Sequence, residues 1–253
     1  MIEEAAADRW PACLDQPVSD RARPFVEDLV ARRAAGEPLQ YVLGHWAFRR
    51  LDLMVDRRVL IPRPETEQVV EVALREVRSL GSAPKVLDLG TGSGAIALSI
   101  ATEVGDARVW ATERSPAALA VARANLAGIG SLAASRVRLA EGSWFEPLPA
   151  ELRGRVQLVV SNPPYVAEGE ELPEVVAAWE PREALYAGPT GLEAVAEIVE
   201  QAPAWLARPG VLVVELAPHQ AAAACALAAA SFDEVEVRPD LAGRDRALVA
   251  RLG

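Results

Sequence analysis

Asp88-Leu89-Gly90-Thr91-Gly92-Ser93-Gly94-Ala95 decides the fold, because it joins an apolar run to a helical pattern through three alternating glycines. Glycine lets the backbone turn sharply and approach a ligand closely. In an open α/β sheet such a loop lies at the carboxyl edge of the strands, where these folds bind ligands. Glu113 follows 19 residues after Gly94. A carboxylate placed there can accept hydrogen bonds from both ribose hydroxyls of a nucleoside. The sequence therefore predicts a nucleoside site.

The sequence downstream of residue 84 alternates between strand and helix patterns. Strands are predicted at Lys85–Leu89, Arg108–Thr112, Arg136–Ala140, Val156–Ser161, Val211–Glu215, Glu234–Arg238 and Ala247–Arg251. Helices are predicted at Ala95–Glu103, Pro116–Leu126, Leu192–Trp205 and Gln220–Ala230. Such alternation is typical of a parallel sheet with helices on both faces. Only a short loop separates the last two strands, so we expect them to pair antiparallel.

The chain upstream of this alternation has a different pattern. Residues 1–36 favour short helices, one of which carries an apolar stripe at Phe25, Leu29 and Val30. Residues 37–62 favour extended segments, and a helix is predicted from about residue 65 to residue 80. We therefore predict a short helical N-terminal domain over 1–36 that takes part in substrate recognition, a β-hairpin linker over 37–62 and an α/β domain over 63–253.

Composition excludes several classes of protein. The chain has 253 residues, 26 of them basic and 36 acidic, for a net charge of −10. Strong binding to nucleic acid is not expected, because that affinity depends on clustered Lys and Arg. Cys13, Cys225, His45 and His219 are isolated in the sequence, so we expect no disulfide, no metal site and a cytoplasmic location. No signal-peptide pattern or membrane-spanning apolar run is present, and no membrane association is expected.

A second motif, Ser161-Asn162-Pro163-Pro164-Tyr165, follows the fourth predicted strand. We expect that strand to lie beside the first, so the motif should face the nucleoside pocket from the other side. The proline rings make the backbone rigid and direct the Asn162 side-chain oxygen and the Pro163 carbonyl oxygen into the pocket. Two such acceptors fit an NH₂ group on a planar system, and Tyr165 can pack against that plane. A proline-stiffened turn is the alternative interpretation.

The chemistry that this arrangement favours is methylation of an amide or exocyclic amino nitrogen. Such a nitrogen is a poor nucleophile, because its lone pair is delocalised. Two acceptors that bind both hydrogens return electron density to the nitrogen and direct its lone pair. Catalysis then depends on positioning and on aligned dipoles that face the developing charge. A histidine base or a metal is not required.

The motifs together resemble a known family. Gly90–Gly94, Asn162–Tyr165 and Leu60–Glu67, which reads Leu-Ile-Pro-Arg-Pro-Glu-Thr-Glu, are similar to the family that methylates the glutamine of the Gly-Gly-Gln loop in bacterial peptide chain release factors. Further similar stretches are Glu37–Gly44, Pro181–Leu185 and Asp240–Arg246. The resemblance implies a class I methyltransferase fold, with a mostly parallel seven-stranded sheet and an antiparallel last strand. It also implies S-adenosyl-L-methionine as the methyl donor, S-adenosyl-L-homocysteine as the product and direct methyl transfer to a release factor.

The same resemblance implies site residues. Those for the cofactor are Gly90, Thr91, Gly92, Ser93, Gly94, Glu113, Trp144 and Asn162. Those for the substrate glutamine are Asn162, Pro163, Pro164 and Tyr165, of which Asn162, Pro163 and Tyr165 are the catalytic residues. Trp144 would border the adenine, and a packed core tryptophan is its alternative interpretation.

Some positions depart from the family pattern. Glu113 stands where many relatives have Asp, and Ser143 stands where some have Asp, which leaves the contact with the adenine amino group open. The region before Glu37 is shorter than the family's helical N-terminal domain, which is expected to help recognise the release factor. Two other functions fit the same motifs. One is an amino-methyltransferase for adenine or cytosine in DNA or RNA, which should carry an Arg- and Lys-rich surface. The other is a nucleoside-binding module without catalysis.

Overall fold

A computed structural model of the protein describes residues 17–253. The short helices predicted for residues 1–16, and Cys13 with them, lie outside the described residues. None of the helices in residues 17–253 has the length and apolar character needed to span a lipid bilayer.

Two helices and a hairpin precede the main sheet. Helix α1 comprises Arg23–Ala34, helix α2 Leu39–Leu43, strand β1 His45–Phe48 and strand β2 Leu51–Met54. Within the described residues, α1 buries none of its side chains, and Phe25 of the predicted apolar stripe is 66% exposed. The hairpin of β1 and β2 falls within the segment predicted as a hairpin linker. The boundaries of the three predicted parts stay a prediction.

The rest of the chain alternates helices and strands. The helices are α3 (Pro64–Ser79), α4 (Ala95–Glu103), α5 (Pro116–Gly128), α6 (Ser131–Ala134), α7 (Glu174–Trp179), α8 (Glu193–Gln201) and α9 (Ala221–Ala228). The strands are β3 (Lys85–Leu89), β4 (Arg108–Glu113), β5 (Val137–Glu141), β6 (Val156–Ser161), β7 (Val166–Ala167), β8 (Tyr186–Gly188), β9 (Leu206–Glu215), β10 (Glu234–Pro239) and β11 (Asp245–Leu252).

The main sheet of the described residues has seven strands in the order β10-β11-β9-β6-β3-β4-β5. The five strands from β9 to β5 are parallel, and β11 is antiparallel to both β9 and β10. The predicted α/β fold with an antiparallel last strand is confirmed. Because β3 and β6 are neighbours, the loops after these two strands meet at one edge of the sheet, as the sequence predicted.

Prediction and structure differ where proline lies inside an element. Strand β9 begins at Leu206 and not at residue 211, and its register against β6 shifts near the Pro209-Gly210 pair, which by sequence indicates a turn. Helix α8 ends at Gln201, four residues before the predicted end, because Pro203 follows and cannot continue the α-helical hydrogen bonding.

Each face of the sheet carries its own hydrophobic core. Val86 of β3 packs in the cluster that includes Val69 of α3 and Ile100 of α4. The next residue, Leu87, packs in the cluster that includes Ile198 of α8. Successive side chains of a strand point to opposite faces, so the continuous apolar run of β3 reflects burial on both sides.

Arg49, in the turn of the β1–β2 hairpin, attaches that hairpin to the main domain. Its guanidinium donates hydrogen bonds to Glu103 of α4 at 2.6 Å and to Glu71 of α3 at 3.0 Å. Its backbone N–H donates to Glu67 Oε1 at 2.9 Å. The Glu103 side chain is only 6% exposed, and the hydrogen bond from Arg49 holds its pKa below the usual value. The segment that follows the hairpin is thereby fixed relative to the sheet.

We expect Arg49→Met to destabilise the protein by about 3–5 kcal/mol, because it leaves the mostly buried Glu103 carboxylate without its cation. The measurement is the free energy of unfolding in denaturant. Arg123→Met is the control, since Arg123 of α5 is exposed and forms no salt bridge in residues 17–253; its effect should stay below about 1 kcal/mol. Equal losses in the two variants would contradict the role given to Arg49.

Candidate active site

A cavity opens at the carboxyl edge of β3, β4 and β6. Its lining comes from residues within 58–66, 90–96, 113–118, 142–144, 162–164 and 181–184. The predicted site residues that line it are Gly90, Thr91, Gly92, Ser93, Glu113, Trp144, Asn162 and Pro164. The predicted residues that do not line it are Gly94, Pro163 and Tyr165. The two motifs identified from the sequence thus both contribute residues to the lining of one cavity.

Two positions of the glycine loop between β3 and α4 have no room for a side chain. Gly94 adopts a φ of 88° as the N-cap of α4, and a Cβ there would lie 3.0 Å from the Leu98 side chain. Gly90 adopts a φ of 71°, and a Cβ there would lie 3.2 Å from the Trp144 ring. Both positions combine the left-handed backbone region with tight space, which only glycine meets without strain.

Asp88 supports the loop from below. Its Oδ2 accepts hydrogen bonds from the Thr91 hydroxyl at 2.6 Å and from the Ala97 N–H at 3.0 Å. The side chain is fully buried, and this burial raises the pKa of Asp88 to about 7. These contacts connect the end of β3, the loop and the first turn of α4.

Glu113 lies at the end of β4 and holds two backbone groups. Its Oε2 accepts a hydrogen bond from the Gly92 N–H at 2.9 Å, and its Oε1 accepts one from the Ser115 N–H at 2.9 Å. The residue is 9% exposed and lines the cavity. Each carboxylate oxygen has a second lone pair, so both can still accept from a ligand hydroxyl. The sequence did not indicate that Glu113 also holds the glycine loop.

Trp144 lines the cavity and also packs against the hydrophobic cluster on one face of the sheet. The side chain is half-buried, and its ring edge lies against Gly90. Its indole N–H donates to Glu197 Oε2 of α8 at 2.9 Å, which fixes the plane of the ring. Ser143 lines the cavity beside it. Glu197 lies 53 residues downstream, and no local pattern points to it.

The Asn-Pro-Pro-Tyr motif extends from β6 directly into the cavity wall. The Ser161 hydroxyl donates to the Leu89 carbonyl at 2.7 Å, which ties the start of the motif to the end of β3. The Asn162 Nδ2 donates to the Thr66 hydroxyl at 3.1 Å. The Tyr165 carbonyl accepts from the Gln220 side chain at 2.9 Å, and burial raises the pKa of Tyr165 to about 12. Tyr165 therefore supports the motif from behind.

The Leu60–Glu67 stretch is hydrogen-bonded to Glu180, directly before the Pro181–Leu185 stretch, and both stretches border the cavity. Glu180, just before the second stretch, is 7% exposed. Its Oε1 accepts from the Arg63 guanidinium at 2.5 Å, and its Oε2 accepts from the Ile61 N–H at 3.1 Å. Both segments contribute residues to the lining. From the sequence, the two stretches resemble the family, but their place relative to the cavity could not be predicted. The structure brings them together at the side of the cavity.

Comparison with known proteins extends these findings. A family model described as the PrmC N-terminal domain matches residues 8–44, and one described as Methyltransferase small domain matches residues 70–179. The release factor glutamine methyltransferase of Burkholderia pseudomallei is 48% identical over 94% of this chain and 84% of its own length. That of Bordetella pertussis is 45% identical over 97% of this chain and 91% of its own length.

Solved structures agree on the fold. A methyltransferase from Pyrococcus furiosus has a TM-score of 0.59 at 18% identity and covers 92% of this chain and 99% of its own. The 16S rRNA N2 G1207 methyltransferase of T. thermophilus, solved with AdoMet and guanosine, has a TM-score of 0.58 at 19% identity and covers 83% of this chain and 50% of its own. Such distant likeness shows the fold alone, whereas identity above 40% over nearly the whole chain shows the family. The chain belongs to the release factor glutamine methyltransferases, which are S-adenosyl-L-methionine-dependent protein-glutamine N-methyltransferases.

Proposed function

We propose that this protein transfers a methyl group directly from S-adenosyl-L-methionine to the side-chain amide nitrogen of the glutamine in the Gly-Gly-Gln motif of a peptide chain release factor. The observation that carries the proposal is the orientation of Asn162. Its NH₂ group is engaged by Thr66, which leaves the side-chain oxygen as the acceptor for a group in the cavity. An acceptor is what a target NH₂ requires.

The cavity residues fit the proposed methyl donor. The carboxylate of Glu113 would accept from the ribose hydroxyls, and Trp144 would border the adenine. The loop 90–94 would enclose the methionine part, because its glycines allow the backbone to approach closely. The donor supplies a methyl group on a positively charged sulfur. The side-chain acceptor of Asn162 lies on the wall that faces this loop.

The residues at the opposite wall would activate the substrate nitrogen. The Asn162 Oδ1 and the Pro163 carbonyl would each accept one hydrogen of the glutamine amide and so direct the nitrogen lone pair at the methyl carbon. As the new N–C bond forms, positive charge grows on the nitrogen, and these two dipoles face it. The S–CH₃ bond of the donor breaks as the N–C bond forms, which leaves neutral S-adenosyl-L-homocysteine. The nitrogen then returns to neutrality by releasing one of its hydrogens as a proton to solvent water. Pro164, which lines the cavity, would hold the planar amide in place by shape, and Tyr165 would support the motif behind it.

Recognition of the protein substrate is proposed to involve residues 1–36. Within the described part of this segment, α1 presents an exposed surface that includes Phe25 and Val30. The residues given chemical roles above all lie beyond residue 60, on the sheet and on the segments that surround its carboxyl edge. The division of labour would thus place substrate choice in the N-terminal domain and chemistry in residues 63–253.

We expect Glu113→Ala to weaken binding of S-adenosyl-L-methionine by about 1.5–3 kcal/mol for each charge-assisted hydrogen bond lost. Calorimetric titration measures this directly. Glu141→Gln is the matched control, because Glu141 pairs with Glu113 across β4 and β5 but is exposed and does not line the cavity. Unchanged cofactor affinity in a folded Glu113→Ala protein would refute the assignment to ribose.

We expect Asn162→Ala to fold and to bind the cofactor, while turnover falls by about 10²–10³, as for removal of one preorganised group from a comparable site. Asn162→Asp should retain more activity than Asn162→Ala, because its carboxylate still offers an acceptor. Single-turnover kinetics with a release factor give both rates. Near-wild-type turnover in a well-folded Asn162→Ala protein would exclude the mechanism.

The identity of the substrate is tested separately. The protein is incubated with cofactor and, in parallel, with a release factor, duplex DNA and ribosomal RNA, and the added methyl group is located by mass spectrometry. The expected product carries one methyl group on the glutamine of the Gly-Gly-Gln motif. A methyl group on adenine or cytosine, with none on the release factor, would replace the proposed function by a nucleic-acid activity.

A further inference from the structure

Glu215, the last residue of β9, is a buried carboxylate that the proposed chemistry leaves without a role. It is 1% exposed. Within the described part of the chain, neither of its carboxylate oxygens has a hydrogen-bond partner. A buried polar group without a partner costs free energy, and such groups are rare enough in folded proteins that each calls for an explanation.

The Thr66 hydroxyl is near this carboxylate. Burial raises the pKa of Glu215 to about 7, while Thr66, Arg246 and Arg63 each act to lower it, although none of the described residues completes a hydrogen bond to the carboxylate. Thr66 is 3% exposed and lines the cavity. Its oxygen accepts the hydrogen bond from Asn162 Nδ2, at 3.1 Å. A hydroxyl has a single hydrogen to donate, so Thr66 can join Asn162 on one side to Glu215 on the other.

We propose that Glu215 is a positioning residue for methyl transfer: it accepts the hydroxyl hydrogen of Thr66, which obliges the Thr66 oxygen to accept from Asn162 and so holds the Asn162 side-chain oxygen toward the substrate. The inference rests on the proposed role of Asn162. It assigns the direction of each hydrogen bond in the series Asn162, Thr66 and Glu215.

The Asn162 side chain needs a neighbour that fixes its orientation, because the two ends of its amide group are similar in shape. The oxygen and nitrogen of an Asn side chain have almost the same size, so a rotation of 180° about the last bond fits the same space. The rotated form would place NH₂ against the NH₂ of the substrate, where neither group can accept. A donor-only Thr66 would stabilise that rotated form, whereas a Thr66 whose hydrogen is held by Glu215 stabilises the productive one.

Two pairs of variants test the series. Thr66→Val and Glu215→Ala remove a member, while Thr66→Ser and Glu215→Gln keep a hydroxyl and an acceptor oxygen, respectively. We expect kcat for methylation of the release factor to fall about tenfold or more in the first pair, which is the rate equivalent of one lost hydrogen bond. The conservative pair should recover most of that rate. The Kd for S-adenosyl-L-methionine should change by less than about threefold in all four variants, because none of the changes removes a group assigned to the cofactor.

Ser99→Ala is the control for loss of a buried hydroxyl, since Ser99 is 1% exposed and lies on α4 away from the cavity lining. Its kcat should match that of the wild type. Melting temperatures show whether each variant is folded. If Thr66→Val does not fold, Thr66→Ala replaces it, because alanine also removes the hydroxyl without adding volume.

The decisive measurement combines the variants with Asn162→Ala. If Thr66 and Glu215 act through Asn162, Thr66→Val should lower kcat in the wild type and have almost no further effect in Asn162→Ala. Equal losses in both backgrounds, or a wild-type kcat in a folded Thr66→Val protein, would overturn the inference even when Asn162→Ala shows the expected large fall in turnover. A fully active Asn162→Ala protein would instead overturn the proposed role of Asn162 itself, so the two failures are distinguishable.

Discussion

The parallel pairing of β3 with β6 is the constraint on which the site depends. Leu89 and Ser161 are paired at the last position of the two strands, and the Ser161 hydroxyl adds a hydrogen bond to the Leu89 carbonyl at 2.7 Å. Because parallel strands end at the same edge, the glycine loop and the Asn-Pro-Pro-Tyr turn become neighbours although 72 residues separate them. A slip of one residue in this register would move Asn162 to the other face of the sheet.

The sheet could be predicted because its signals are local. The strands from β3 to β6 are short apolar runs bounded by turn residues, and the glycines between Leu89 and Ala95 mark one end of a strand and the start of a helix. Where a local signal pointed the wrong way, the prediction failed. The Pro209-Gly210 pair indicates a turn by sequence, yet β9 begins before it, because Leu206 still pairs with Val156 of β6 on the far side of the irregular register.

The site could be predicted in part for the same reason. Each predicted residue that lines the cavity belongs to a motif with its own chemistry. The supporting residues do not: Thr66 meets Asn162 across 96 residues of sequence, and Glu180 meets Ile61 across 119. Such contacts are set by the way the segments pack around the sheet, and no pattern within either segment specifies its partner. Glu215 reads in the sequence as the end of a strand, and only its burial reveals it as unusual.

Two threonines, Thr66 and Thr91, line the cavity, and each lies close to a buried carboxylate. Asp88 accepts from Thr91 at 2.6 Å, and Glu215 lies behind Thr66. If the site works by position, as proposed, it depends on the rigidity of its walls, and hydrogen bonds in a low-dielectric interior are strong enough to supply that rigidity. The cost is desolvation, which raises the pKa of both carboxyl groups to about 7. Asp88 offsets that cost by two hydrogen bonds that already fix the loop. Glu215 accepts no such bonds from residues 17–253, so the hydroxyl hydrogen of Thr66 would stabilise the buried carboxylate and orient Asn162 at the same time.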